Sequence, residues 1–346
     1  MTFSSSRSQG AHQSSPPAGQ GGGPYPVAHE EDGRLPTAIF LMGPTASGKT
    51  ALALELAEHL PVDIISVDSA QVFRGMDIGT AKPDAATLER FPHRLINLIT
   101  PEERYSAAQF CADARQEMAG ITEAGRVPLL VGGTLLYFKA LVEGLADLPQ
   151  ANPAVRAAID REAAVGGWPA LHAELALLDP VTAARLAPND AQRIQRALEV
   201  LRLTGKPLTE WFAVQREAAL PQLPYRVLSL ALVPEDRSVL HDRIAERFSA
   251  MIEAGLVEEV ELLRRGYELS AELPSMRCVG YRQVWEMLEG KLARADLLER
   301  GIFSSRQFAK RQLTWLRKMA ASETLDPLAA NTRERVLELV RETVFR

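Results

Sequence analysis

Apolar residues in the first half of the chain fall in short unbroken runs, separated by polar or mixed stretches. Ala38-Ile39-Phe40-Leu41-Met42 is one run, Asp63-Ile64-Ile65-Ser66-Val67 contains a second, and Val127-Pro128-Leu129-Leu130-Val131 is a third. A strand covered on both faces has no polar side, so such runs predict buried strands of a parallel sheet. Further strands are expected over 94–99 and over 225–233, the latter stopped by Pro234. Between the first two runs, Ala51 to Leu60 is rich in Ala, Leu and Glu and reads as a helix ended by Pro61. Ser106-Ala107-Ala108-Gln109 has the form of a capping box, opening a helix to about Ala124 with Gly125 just past its end. The Gly-containing stretch Gln71 to Pro83 is expected to be a loop. Strands alternating with helices predict an α/β parallel sheet with right-handed crossovers.

The pattern changes near Gly144 to Pro153. From Ala154 to about Ala219 it is helical, broken at Gly166-Gly167, Asp179-Pro180, Pro188 and Gly205-Lys206-Pro207. After Glu235 it is again almost all helical. The expected organisation is a core at 36–145 and 222–330 interrupted by a helical insert at 146–221, with a C-terminal helix or tail at 331–346. Residues 1–35 are rich in Ser, Gly, Pro and Gln, too poor in large apolar side chains to offset ordering entropy, and read as a disordered extension.

Composition narrows the class. Of 346 residues, 46% are apolar and 24% charged, which excludes a disordered or collagen-like chain. With 39 Lys and Arg against 44 Asp and Glu the net charge is −5, so the protein is no uniformly basic nucleic-acid coat. Cys111 and Cys278 lie far apart with no CxxC, which argues against a disulfide framework or zinc cluster and fits a reducing cytoplasm. The N-terminus has no apolar core of a secretory signal, and no run of about 18 apolar residues reads as a membrane span.

The sharpest signal is Gly43-Pro44-Thr45-Ala46-Ser47-Gly48-Lys49-Thr50. It matches G-x-x-x-x-G-K-[ST] in full and stands between a strand and a helix, as a phosphate-binding P-loop requires. Successive N–H groups of such a loop form an anion nest, Lys49 supplies a point charge, and Thr50 is placed to ligate Mg²⁺. The fold expected is therefore α/β, a P-loop NTPase-like parallel sheet with an inserted helical domain and a helical C-terminal part. The loop fits a diphosphate or triphosphate without specifying ATP. The run Leu129-Leu130-Val131 ends in Gly132-Gly133-Thr134 with no acid to hold metal and water, which favours a transferase over an ATPase. Asp68 follows the second strand at the same edge. It can be a general base, an outer Mg²⁺ partner or a turn cap. Asp63, at the opposite end of that strand, is expected to be structural. Thr134 can cap the next helix or touch substrate.

Charge is uneven. From Phe303 to Ala321 there is no Asp or Glu, while Arg306, Lys310, Arg311, Arg317 and Lys318 interleave with Leu313, Trp315 and Leu316. Arg277-Cys278-Val279-Gly280-Tyr281-Arg282 and the turn Gln192, Arg193, Arg196 add two more basic clusters. Each can be a solvated helix face or a track for an RNA backbone.

Six ordered blocks, GPTASGKT, SVDSAQVFRGMDIGTAKP, VPLLVGGTLLYFKAL, NDAQRIQRALEV, MRCVGYRQVW and KRQLTWLRK, resemble the tRNA dimethylallyltransferase (tRNA isopentenyltransferase) family over about Ala38 to Lys318. The resemblance implies transfer of a dimethylallyl group from dimethylallyl diphosphate to the exocyclic N6 amine of the adenosine 3′ of the anticodon. It implies Mg²⁺ as cofactor, diphosphate on Gly43 to Thr50, Asp68 as base, and Thr45 and an arginine from the Arg243/Arg247 pair on the diphosphate, with Arg247 favoured. It implies contact with the tRNA anticodon loop through Asp68, Ser69, Ala70, Gln71, Thr134, Arg156, Gln192, Arg193, Ile194, Gln195, Arg196, Arg277, Cys278, Val279, Gly280, Tyr281, Arg282 and the helix Lys310, Arg311, Gln312, Leu313, Thr314, Trp315, Leu316, Arg317. A cytoplasmic monomer without membrane contact is expected. The competing readings are a small-molecule kinase, an RNA-binding NTPase module and an adenylate prenyltransferase.

Overall fold

The structure, a computed structural model, describes residues 35–146, 148–217 and 223–345. The extension read over 1–35 lies outside these residues except for Leu35. The core strands are β1 (Thr37–Met42), β2 (Val62–Val67), β3 (His93–Arg94), β4 (Val127–Gly132), β5 (Arg226–Leu232) and β6 (Glu323–Leu325). They form one parallel sheet in the order β3-β2-β4-β1-β5-β6. The unbroken apolar runs are explained by helices on both faces. Phe40 and Met42 of β1 point into one layer with α3 (Ala107–Glu123) and α4 (Leu135–Glu143). Ile39 and Leu41, one residue out of phase, point into the other with α1 (Lys49–His59). The Ser106–Gln109 capping box forms with both reciprocal bonds, and Gly125 takes φ 70° past the helix end.

Two strands differ from expectation. The third is two residues long because its continuation pairs elsewhere: Asn97 N–H donates to the Gln71 carbonyl, and Leu98 and Ile99 N–H to that of Val72. Leu95 and Asn97 accordingly adopt left-handed φ of 61° and 54°. The sixth strand, three residues pairing with β5 through Leu230–Glu323 to Leu232–Leu325, has no apolar run to announce it. It is followed by α13 (Thr332–Val344), whose Val336, Val340 and Val344 seal the layer beneath α1.

The short α2 (Ala85–Arg90) precedes β3, and after α4 the chain leads to α5 (Pro153–Leu178), α6 (Pro180–Ala183), α7 (Ala191–Thr204) and α8 (Leu208–Glu217) before returning to β5. These surround their own core of Ile159, Leu171, Leu175, Ile194, Leu198 and Leu208. The break expected at Gly166-Gly167 is a kink inside α5, where Gly167 takes φ 77° and ψ 161°. After β5 come α9 (Arg237–Glu253), α10 (Leu256–Gly266), α11 (Tyr281–Leu288) and α12 (Leu297–Leu316). Val72, Phe73 and Met76 pack with Phe248, Val260, Tyr281 and Trp285 into a lobe over the strand ends. No helix among the described residues is long and apolar enough to cross a membrane.

Candidate active site

The carboxyl ends of β1, β2 and β4 bring three sequence motifs to one edge of the sheet. The loop Gly43 to Thr50 leaves β1 and runs into α1 at Lys49. Ala46 at φ 63° and Gly48 at φ 87° turn its backbone, and a Cβ on Gly43 would stand 2.8 Å from Ser47 Oγ. Lys49 Nζ donates to the Pro44 carbonyl at 2.6 Å. Burial, with Arg247 nearby, pulls the Lys49 ammonium down to about 7, and Asp68 opposes the shift. A cation this desolvated is stabilised by an arriving anion.

Asp68 follows β2. Its Oδ1 accepts from Ala70 N–H at 2.8 Å, so the turn-cap role is realised while the residue also lines the site cavity. Thr134 does not cap α4; its hydroxyl accepts from Ser69 N–H at 3.0 Å and ties the end of β4 to the turn after β2. Ser66 Oγ donates to Gln71 Oε1 at 2.9 Å and orients that side chain. Asp63, at the far end of β2, is paired with Arg126 at 2.6 Å and Arg94 at 3.3 Å, as a structural residue should be.

A cavity of about 350 Å³ lies between these turns and the lobe. Asp68, Thr45 and Arg247 line it with Phe248, Met251 and Cys278. A narrower recess joins Lys49, Thr50, Asp68, Gln71, Arg247 and Gln312. Arg247 reaches both, whereas Arg243 meets only the open groove outside the phosphate loop. Burial pulls the Arg247 pKa below the usual arginine value, opposed by Asp68. Two half-buried cations, Lys49 and Arg247, face one carboxylate where an anion would sit, and an arriving anion favours the charged form of Lys49.

Several side chains named from the resemblance face inward. Ile194, Leu313 and Leu316 belong to the apolar cores of their helices. Tyr281 is fully buried and its hydroxyl donates to Glu259; burial first, and then the Glu259 charge, hold the phenol above its ordinary pKa. Gly280 is also buried, at φ 93° before α11. None of these presents a side chain for RNA as the chain stands. Cys278 and Val279 line the cavity wall, and burial pushes the Cys278 thiol up to about 12. Arg156 and Arg196 both grip the buried carboxylate of Glu199, at 2.8 and 2.7 Å. Gln195 donates to Asp160 at 2.6 Å, and Arg193 pairs with Asp190 at the α7 cap. Arg277 pairs with Glu272 and Arg282 with Glu286. Gln192, Lys310, Arg311, Thr314, Trp315 and Arg317 are exposed.

Sequence reasoning missed Glu259. From α10 its carboxylate accepts the N–H groups of Asp77, Ile78 and Gly79 at 3.0, 2.8 and 3.3 Å as well as the Tyr281 hydroxyl. It thereby fixes the Gly75–Lys82 loop that carries Gly79 and Thr80 into the cavity wall. Nothing in the charge run Glu258-Glu259-Val260-Glu261 distinguishes it from a solvated glutamate.

Comparison with known proteins bears on the family and the fold. The IPP transferase family model matches residues 71–319, and the isopentenyl transferase model matches 36–99. The tRNA dimethylallyltransferase of Dechloromonas aromatica is 61% identical over 303 residues, covering 88% of this chain and 96% of that one. That of Thiobacillus denitrificans is 61% identical over 306 residues, with the same coverage. The solved full-length tRNA isopentenylpyrophosphate transferase of Bacillus halodurans is 34% identical with a TM-score of 0.64, covering 89% of this chain and 96% of its own. A eukaryotic dimethylallyltransferase, solved acting on tRNA, is 25% identical with a TM-score of 0.73, covering 88% and 79%. On this identity, length of match and shared fold, the chain belongs to the tRNA dimethylallyltransferase (IPP transferase) family.

Proposed function

We propose that the protein transfers a dimethylallyl group from dimethylallyl diphosphate to the N6 amine of the adenosine 3′-adjacent to the anticodon of tRNA, releasing diphosphate. The observation that carries this reading is one cavity lined at once by the phosphate-loop residue Thr45, by Arg247 and by the Asp68 carboxylate. An allylic diphosphate needs its leaving group held and its negative charge absorbed as the C1–O bond breaks. The amides of Ala46 to Thr50, Lys49 and Arg247 do this, with the Thr45 hydroxyl beside them. The apolar walls at Phe248 and Met251 suit the hydrocarbon and exclude water.

An adenine amine is a weak nucleophile because its lone pair is delocalised into the ring. As N6 forms its bond to C1, Asp68 accepts the departing N6 proton, so the charge released at nitrogen ends on a carboxyl group. The base must leave its stack to reach the cavity, which costs only a few kcal/mol in an unpaired anticodon loop. Exposed Lys310, Arg311 and Arg317 on α12 serve as phosphate contacts.

The residues present fit Mg²⁺. Thr50 and Asp68 offer hard oxygen atoms to the same recess, and among the described residues no cluster of three or more His, Cys, Asp or Glu could cage a metal. That donor set suits an ion held by Thr50 and otherwise by substrate phosphate oxygens and water, with Asp68 as an outer partner that stays free to take a proton. Mg²⁺ bound there would neutralise charge on the diphosphate. The enzyme is proposed to act as a monomer, and in the cytoplasm, where free thiols such as Cys111 and Cys278 stay reduced.

The test is an assay of purified protein with labelled dimethylallyl diphosphate, Mg²⁺ and either tRNA or AMP. Label in tRNA supports the proposal. Label in AMP alone points to an adenylate prenyltransferase, and ATP turnover with neither product points to a kinase; both sink it.

A further inference from the structure

The family resemblance sets Gln312 among the RNA-facing side chains, yet it is 5% exposed and turned toward the ends of β1 and β4. Its carboxamide is used at both ends. Oε1 accepts from Thr45 N–H at 2.8 Å, and Nε2 donates to the Gly133 carbonyl at 2.9 Å. The first partner is 267 residues away in the phosphate loop, the second 179 residues away at the end of β4.

The Pro44–Thr45 peptide is therefore held on both sides. Lys49 Nζ grips its carbonyl and Gln312 Oε1 grips its N–H. Carbonyl and N–H of a trans peptide point in opposite directions, so these two bonds fix the plane of the unit. That unit starts the turn through Ala46 and Gly48, at φ 63° and 87°, which aims the later amides at an anion. Gly133 completes the fit: a Cβ there would overlap Gln312 Nε2 and expel the carboxamide.

Taking the Gly43–Thr50 loop as the diphosphate site, we propose that Gln312 is a positioning residue of that site. Lys49 has two claims on it. In the free protein it holds the Pro44 carbonyl; with substrate bound its ammonium belongs on the phosphate. When Lys49 leaves, the Pro44 carbonyl keeps only the turn's own bond from Ser47 N–H at 3.3 Å, and Gln312 is the strap that reaches the peptide from outside the loop and keeps the nest in shape. A helix whose outer face carries exposed Lys310, Arg311 and Thr314 thus supports the diphosphate site with its inner face.

The experiment uses the full chain with Gln312→Met, which keeps the volume and removes both bonds, and Gly133→Ala, which keeps the glutamine but displaces it. Binding of inorganic diphosphate with Mg²⁺ is measured by calorimetry, exchange of the Thr45 amide by hydrogen–deuterium exchange, and tRNA affinity by filter binding. Both variants are expected to weaken diphosphate binding by roughly tenfold to a hundredfold. Both should speed exchange at Thr45, raise KM for dimethylallyl diphosphate more than they lower kcat, and leave tRNA affinity unchanged. If Gln312→Met fails to fold, Gly133→Ala decides. Unchanged diphosphate affinity with Thr45 still protected overturns the proposal, as does a loss confined to tRNA affinity, which would make Gln312 an RNA contact. A wild-type chain without affinity for diphosphate overturns the reading of the loop and the strap with it.

Discussion

At the scale of single residues, the site is governed by charges kept partly out of water. Lys49 is the clearest case. Its folded pKa is about 7 against an ordinary 10.5, lowered first by burial and then by Arg247. Between those values the unfolded chain holds a proton that the folded chain lacks, so this residue's contribution to stability rises with pH across the window. Below pH 7 both states are charged and the full cost stands. Lys49→Met is therefore expected to raise Tm of the ligand-free protein at and below neutral pH, with the gain fading toward pH 10.5, while diphosphate affinity falls. Melting curves across that range, paired with calorimetry, check both signs. Asp68 is expected to behave differently. If it takes the N6 proton, Asp68→Asn lowers kcat by about 10²–10⁴ in single turnover while tRNA affinity stays close to wild type. A collapse of tRNA binding with chemistry intact would reassign it to RNA recognition.

At the scale of elements, legibility followed the strength of the local signal. The strands β1, β2, β4 and β5 and the phosphate loop were readable because a doubly covered strand must be apolar throughout and a P-loop needs glycines at fixed spacing. β6 was not, because three residues at a sheet edge carry no periodicity. On α12 the resemblance marked a continuous block, whereas a helix alternates faces. Lys310, Arg311, Thr314 and Arg317 face solvent, while Gln312, Leu313 and Leu316 face inward. Charge runs were equally ambiguous in α7, where Arg196 resembled an RNA contact but closes on Glu199 together with Arg156. Glu199 also accepts from Asn152 N–H at 2.7 Å and is wholly buried, so Glu199→Gln is expected to cost about 2–3 kcal/mol in chemical denaturation. Lys310→Ala and Arg317→Ala should barely change stability. Each should instead reduce the slope of log affinity for tRNA against log salt by about one.

At the scale of the whole molecule, a net charge of −5 coexists with a pocket that gathers Lys49 and Arg247 and with a basic helix. The acidic average disfavours indiscriminate RNA binding, and the local cations act at short range. The helices α5 to α8 keep a core of their own, distinct from the two layers on the sheet. Native-state hydrogen exchange is expected to show Ile159, Leu175 and Leu198 opening together, at lower denaturant than Phe40 and Leu130 in the sheet; a single common transition would contradict that. The order of the chain also bears on synthesis. Leu325 of β6 and the valines of α13 cover the layer containing Leu41, Leu129 and Leu230, yet they leave the ribosome after every residue of the site. Until they emerge, the nascent sheet has a bare edge and an incompletely roofed apolar face, the kind of surface that chaperones hold. A message truncated just beyond α12 would thus encode the complete phosphate loop, base and basic helix, and still yield protein that collects in inclusion bodies.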